Sequence, residues 1–123
     1  MKKNEKGFSL IEVVIALALL GIIGVALLSG LATASKCIYI ADERATAESL
    51  ARSQMESVKE QTYRVVGSYA IIDPSTLGYP ASYAIDLAVD PLAGVLGGIQ
   101  EITVTVSHYG NVIITLENYK VNR

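Results

Sequence analysis

An apolar run close to the N-terminus constrains this chain more than any other feature. Between Phe8 and Leu28 the only ionisable side chain is Glu12, and apart from Ser9 the other residues are Val, Ile, Leu, Ala or Gly. A helix over this run would be roughly 32 Å long, which is enough to cross the hydrocarbon core of a bilayer. The sequence therefore predicts a membrane-spanning helix, preceded by residues 1–7.

The acid inside this run needs a physical explanation. An unpaired carboxylate in the outer part of a membrane helix costs on the order of a few kcal/mol. If the chain were cut between Gly7 and Phe8, the new α-amino group would lie one helical turn before Glu12, and the helix dipole would also favour the charged acid. A neighbouring copy could supply that amine instead. The alternative is a stray Glu near a helix end that reaches back to the headgroups.

The segment Gly7-Phe8-Ser9-Leu10-Ile11-Glu12, preceded by Lys2, Lys3 and Lys6, resembles the N-terminus of type IV pilin-like proteins: pilins, minor pilins and type II secretion pseudopilins. The resemblance implies that a prepilin peptidase cuts after Gly7 on the cytoplasmic side and then methylates the amine of Phe8. It also implies that Glu12 is the assembly residue, which pairs with the N-terminal amine of a neighbouring subunit. Ser9 stands where Thr is often found in this family, which is a common variation.

Charge is distributed unevenly about the apolar run. The leader, residues 1–7, carries a net charge of +2, so the remainder of a chain whose total is −2 carries −4. This asymmetry predicts a cytoplasmic N-terminus and an exported C-terminal part, and the acidic exported part gives no support for nucleic-acid binding. One rival reading remains. The segment Ala32-Thr33-Ala34 has the form of a secretory cleavage site, and its use would release a soluble protein.

A second helical pattern follows the apolar run without a helix breaker. The apolar residues between 36 and 62 recur at helical spacing, and Glu48 and Arg52 form a favourable i,i+4 pair. These apolar residues are Ala47, Leu50, Ala51, Met55 and Val58. We expect one continuous helix of about 55 residues, with a membrane half at 8–35 and an amphipathic half at 36–62. Gly21 and Gly24 are candidate soft points in its membrane half.

Small residues are expected to lie at helix contacts. Ala26, Gly30 and Ala34 share one helix face, which indicates either a close helix interface or the ordinary composition of a membrane span. Cys37 is the only cysteine, so an internal disulfide is excluded, and we expect its thiol to be buried in a helix interface.

Residues 63–123 are predicted to form a loop and a small sheet. The loop covers 63–82, where Gly67 ends the helical region. Alternating patterns then predict strands at Tyr83–Val89, Glu101–His108 and Val112 to about Tyr119. Their predicted core faces carry Tyr83, Ile85, Leu87 and Val89; Ile102, Val104 and Val106; and Val112, Ile114 and Leu116. Residues 94–98 are read as a flexible connection, and residues 109–111 as the second turn. The apolar face of a small β-meander must be shielded from water by another element. The sequence therefore predicts a pilin-like α+β fold in which the amphipathic half of the helix packs on a three-stranded antiparallel sheet.

No pattern in the sequence points to catalysis. It contains no nucleophile elbow, phosphate loop, metal-ligand cluster or dinucleotide fingerprint, so we expect no catalytic, cofactor or metal site. His108 is expected to be an exposed side chain beside a hairpin turn. Asp86 and Asp90 lack the oxygen-rich spacing of a calcium loop.

The sequence thus predicts a structural subunit of a type IV pilus or type II secretion pseudopilus, with a slight lean towards a minor subunit. Its expected partners are the prepilin peptidase, other pilin or pseudopilin subunits and the membrane. It would sit first in the cytoplasmic membrane as a single-pass protein and later in a surface pilus or periplasmic pseudopilus. The alternative is a single-pass membrane protein that never assembles and whose exported domain binds a ligand.

Overall fold

The structure, a computed structural model, describes residues 7–92 and 98–123. It contains one α-helix, one short 3₁₀ helix and three strands: α1 Leu10–Glu60, the 3₁₀ helix Pro74–Leu77, β1 Tyr83–Pro91, β2 Ile99–His108 and β3 Asn111–Val121. The predicted α+β class, the single long helix and the three strands are confirmed. The predicted leader apart from Gly7, and the predicted connection 94–98 apart from Gly98, lie outside the described residues.

The chain divides into two compact units, Met1–Tyr39 and Ile40–Arg123, and α1 contributes to both. In the first unit the apolar side chains of α1 are exposed. Two hydroxyl groups in the last part of this unit are satisfied within the helix, because Thr33 donates to the carbonyl of Ser29 at 2.9 Å and Ser35 to that of Leu31 at 3.0 Å. A helix in lipid requires such hydrogen bonds within the protein, because lipid offers its polar groups no partners.

In the second unit α1 supplies one wall of the hydrophobic core. All five predicted core residues of the amphipathic half, from Ala47 to Val58, are buried. Their spacing places them on one side of the helix, and the charged residues occupy the rest of its circumference. Arg52 pairs with Glu48 at 2.5 Å on the exposed side, as the i,i+4 spacing predicts.

The sheet has the strand order β1-β2-β3 and is antiparallel throughout. Leu87 of β1 lies beside Val104 of the central strand, which lies beside Leu116 of β3. The predicted core face of the central strand is confirmed, because Ile102, Val104 and Val106 are buried. The predicted face of β1 is confirmed as well, since two of its four residues are buried and two are half-buried against the core.

The predicted face of β3 is wrong at its first residue. Val106 pairs with Ile114, but the next residue of β2, Ser107, pairs with Val112, so Ile113 is an extra residue in the ladder. A bulge of this kind reverses the alternation of side chains along a strand. Val112 therefore faces solvent and is 64% exposed, while Ile113 and Ile114 are both half-buried against the core.

The turn between β2 and β3 consists of two residues, Tyr109 and Gly110. Their φ angles are +49° and +81°, and His108 pairs with Asn111 across the hairpin. Two consecutive positive φ angles are typical of the type I′ turn, whose twist matches that of the flanking strands. The turn predicted at residues 109–111 therefore centres on Tyr109-Gly110, and Asn111 is the first residue of β3.

The C-terminal end of α1 is capped by a side chain from β3. The Lys120 ammonium group donates hydrogen bonds to the backbone carbonyls of Val58, Lys59 and Gln61, and it lies 5.1 Å from the centre of the Tyr69 ring. The carbonyls of Val58 and Lys59 belong to the last turn of α1 and that of Gln61 follows directly, where a helix leaves acceptors unsatisfied and its dipole attracts a cation. The helix ends at Glu60, two residues before the predicted end of its amphipathic half at residue 62. Burial lowers the pKa of Lys120.

Buried glutamines fix the loop that follows the helix. Gln54 donates to the carbonyl of Ala70 at 2.9 Å and accepts from the N–H of Ile72 at 2.7 Å. Gln100 on β2 accepts from the Tyr69 hydroxyl at 2.7 Å. Among the described residues every buried side-chain nitrogen and oxygen has a hydrogen-bond partner. The loop is therefore tied both to α1 and to the sheet.

A 3₁₀ helix closes the loop before β1. The Asp73 carboxylate accepts from the N–H of Ser75 at 2.9 Å, Pro74 follows in the first turn, and Gly78 ends the element with a φ of +81°. The bond from the Ser75 N–H holds the pKa of Asp73 below its ordinary value. The predicted loop 63–82 thus contains a capped helical turn.

Candidate functional site

The first residue of interest is Ser9, which starts α1. Its carbonyl accepts from the N–H of Val13 at 3.2 Å, and its side-chain oxygen accepts from the N–H of Glu12 at 3.3 Å. These two bonds are those of an N-cap residue. The sequence interpretation treated Ser9 only as a family variation. The signal that predicts the cap is the spacing Ser-x-x-Glu, which is the pattern of a capping box.

The predicted cleavage position lies just before this cap. Gly7, Phe8 and Ser9 are outside the helix, which begins at Leu10. A Cβ built on Gly7 would meet no atom within 4 Å, and the Phe8 side chain is 81% exposed. The peptide between Gly7 and Phe8 is therefore non-helical and accessible.

Glu12, the predicted assembly residue, lies in the first turn of α1 and is exposed. It shares a shallow apolar depression on the helix surface with five other residues, Phe8, Val13, Ala16, Leu17 and Leu20. No basic side chain within 7–92 and 98–123 lies within 4.0 Å of its carboxylate. The structure thus places Phe8 and Glu12 beside the same depression.

The helix that follows is suited to an apolar environment. Its most apolar 18-residue stretch has a mean hydropathy of 2.8, and none of that stretch is buried within the chain. By length and composition α1 is able to cross a membrane. Large apolar side chains exposed in such number along one helix are typical of a membrane or protein contact surface.

Comparison with known protein families gave a match near the N-terminus. Residues 2–28 match the model described as the prokaryotic N-terminal methylation motif. The chain carries the type IV pilin and pseudopilin signal motif. The comparison with curated proteins found no match, and neither did the comparison with solved structures.

The pilin signal motif includes the three residues singled out by the sequence, Gly7, Phe8 and Glu12. Its presence supports a type IV pilin-like or pseudopilin precursor, and it points to a structural protein rather than an enzyme. Together with the apolar helix it fits a single-pass membrane-anchored protein.

A second polar cluster lies in the C-terminal unit, around His108. The prediction of an exposed side chain is wrong, because His108 is only 8% exposed. Its Nδ1 lies 2.5 Å from the Glu43 carboxylate and its Nε2 lies 3.0 Å from the Ser82 hydroxyl. The ring stacks on Tyr83 at 4.1 Å and lies against Tyr109 at 4.4 Å.

This cluster has the atom order of a serine–histidine–acid triad, in which each ring nitrogen bonds a different partner. Its place in the fold indicates a structural role instead. Glu43 belongs to α1, His108 to the end of β2 and Ser82 to the residues before β1, so the bonds join three segments of the unit. We interpret the cluster as a clamp between helix and sheet. Within the described ranges no group of three or more His, Cys, Asp or Glu is placed to hold a metal ion.

The sequence predicted that the Cys37 thiol is buried in a helix interface, but in the single chain this thiol is free and exposed. Ala26, Gly30 and Ala34 on the same helix are exposed as well. The surroundings of Gly21, Gly24 and Gly30 are open, since an added Cβ would meet nothing within 4 Å. Burial of the thiol in an interface between subunits stays a prediction.

Proposed function

We propose that the chain is a prepilin. A prepilin peptidase cuts it between Gly7 and Phe8 and methylates the new amine of Phe8, and the mature chain is a structural subunit of a type IV pilus or type II secretion pseudopilus. The observation that carries this proposal is the signal motif at residues 2–28, whose cleavage position is non-helical and accessible.

Assembly would proceed through the exposed half of α1. None of the most apolar stretch of α1 is buried within the chain, so this stretch needs either lipid or other helices around it. Packing against copies of the same helix would provide those helices. In this proposal the Glu12 carboxylate pairs with the Phe8 amine of a neighbouring subunit. That contact offsets the cost of an acid in an apolar surrounding and fixes the axial register.

The system served is a finer part of the proposal. The single cysteine, which gives the sheet unit no internal disulfide, favours a minor pilin or minor pseudopilin over a major pilin. The N-terminus would start in the cytoplasm and the sheet unit would be exported, as the charge asymmetry predicts. The mature subunit would then leave the membrane for a surface pilus or a periplasmic pseudopilus.

Intact-mass measurement of protein extracted from native membranes tests the processing step. We expect loss of residues 1–7 and a gain of one methyl group on Phe8. A Gly7→Leu variant is the matched control, and we expect it to retain the leader because a bulky side chain replaces the small residue at the cut. If the wild-type protein keeps residues 1–7, the proposal is wrong and a single-pass protein that does not assemble is the better description.

A Glu12→Gln variant tests assembly separately from processing. The amide keeps the size of the side chain but carries no charge to attract an amine, so we expect normal removal of the leader and loss of incorporation into filaments. The measurement is the amount of subunit in sheared or pelleted filaments relative to the membrane fraction. Normal incorporation of Glu12→Gln would remove Glu12 from the assembly mechanism.

A further inference from the structure

Ser9 lies between the proposed cleavage position and the helix, and the structure shows it starting that helix. Its carbonyl and its side-chain oxygen each accept one of the first backbone N–H groups, those of Val13 and Glu12. Phe8 and Gly7 therefore precede the helix. The family match covers this position.

The sequence offers other residues that could act as the N-cap of this helix. Gly7 and Asn4 are both residue types that serve as N-caps. With Gly7 as the cap, Phe8 would be the first helical residue, and with Asn4 as the cap the peptide between Gly7 and Phe8 would lie inside the first turns. An apolar surrounding favours such an extension, because a helix satisfies its own backbone groups.

A peptide bond inside a helix is a poor substrate for a protease. Bound peptide segments are commonly held extended, with main-chain groups that pair with the partner, and a helix has already used those groups. We propose that Ser9 is a positioning residue for processing: by starting the helix at Leu10 it keeps the Gly7–Phe8 peptide extended for the peptidase. This inference rests on the proposed function, and it assigns a role to the hydroxyl oxygen of Ser9.

Three substitutions separate capping from other properties of the side chain. Ser9→Thr keeps a capping oxygen, and Ser9→Val has the same shape as threonine without that oxygen. Ser9→Asn caps through a different chemical group. Pulse-chase of the full-length precursor in the native host gives the rate of leader removal, normalised to the amount of precursor in the membrane. We expect Thr and Asn to be processed at close to the wild-type rate, and Val to be processed about fivefold more slowly, the ratio that loss of one capping bond implies.

Two results would overturn the inference. If Ser9→Val is processed as fast as Ser9→Thr, the capping oxygen has no role. If Ser9→Asn is as slow as Ser9→Val while Ser9→Thr is normal, the peptidase reads the hydroxyl directly and the helix start is not the cause. Failure of the proposed function looks different, because then the wild-type leader is not removed at all.

Discussion

Lys120 is a charged residue on a strand whose inner face is otherwise mostly apolar, and it is nevertheless buried. Periodicity alone places its long side chain on the core side without giving it a partner. The partner is the end of α1, whose last carbonyls lie beside the end of β3. A charge this deep is tolerated because several carbonyl oxygens surround it.

Replacing this cap has a measurable cost. We expect Lys120→Met to lower the free energy of unfolding by about 1–3 kcal/mol, because it keeps most of the apolar stem but leaves buried carbonyls without a donor. Lys59→Met is the matched control, since Lys59 is exposed at the same helix end, and it should change the free energy by less than about 0.5 kcal/mol. Chemical denaturation of both variants checks the difference. Equal effects would show that the cap contributes nothing specific.

The environment of His108 differs from its prediction. The residues that follow it form a turn, which favours exposure, but its partners Glu43 and Ser82 are distant in sequence. No local pattern links these three residues. The same is true of Val112, whose exposure follows from a bulge that only strand pairing creates.

At the scale of elements, α1 has two halves with opposite relations to the rest of the chain. Leu50 is fully buried against the sheet, whereas Leu20, in the apolar half, is 66% exposed. The same residue type in the same helix thus contributes to folding at one position and to an outer surface at the other. The helix is amphipathic only where it meets the sheet.

This division predicts different outcomes for the same substitution. We expect Leu50→Ala to lower the free energy of unfolding of the sheet unit by about 2–5 kcal/mol, because it leaves a cavity in the core. Leu20→Ala should leave that free energy unchanged, since Leu20 packs against no described residue of the core. Denaturation followed by far-UV circular dichroism in detergent compares the two. A similar loss for both variants would mean that the apolar half also contributes to the fold.

At the scale of the whole molecule, the buried hydrophobic residues that the structure describes all lie between Ala47 and Val106. The unit Ile40–Arg123 therefore contains the core within itself. Its three strands need the amphipathic helix as cover, and that part of α1 is inside the same unit.

We therefore expect the fragment 40–123 to fold without the apolar half of α1. Expressed alone it should be soluble and unfold cooperatively, because removal of residues 1–39 takes away exposed apolar surface and, among residues 7–39, no core residue. Thermal unfolding and size-exclusion chromatography are the measurements. The fragment carrying Leu50→Ala is the control for a weakened core. A fragment that is unfolded or insoluble would show that the sheet unit depends on the first 39 residues.

The sequence by itself determined the features that depend on residues close together in the chain or on a short sequence motif. The apolar run around Glu12, the amphipathic spacing after residue 36 and the alternation of the three strands are local signals, so composition and periodicity were sufficient to predict them. The proposed cleavage position at Gly7 rests instead on the signal motif. The Ser9 cap also has a local signal, the Ser-x-x-Glu spacing, although it was not among the predictions from the sequence.

Only the tertiary structure decided the features that depend on which segments meet. The burial of His108 and the cap that Lys120 places on α1 each require contacts between residues distant in the chain, and the bulge that turns Val112 outward requires the pairing of β2 with β3. The physical reason is that a polar side chain is buried only where a specific partner satisfies it, and the position of that partner is set by packing of the helix on the sheet.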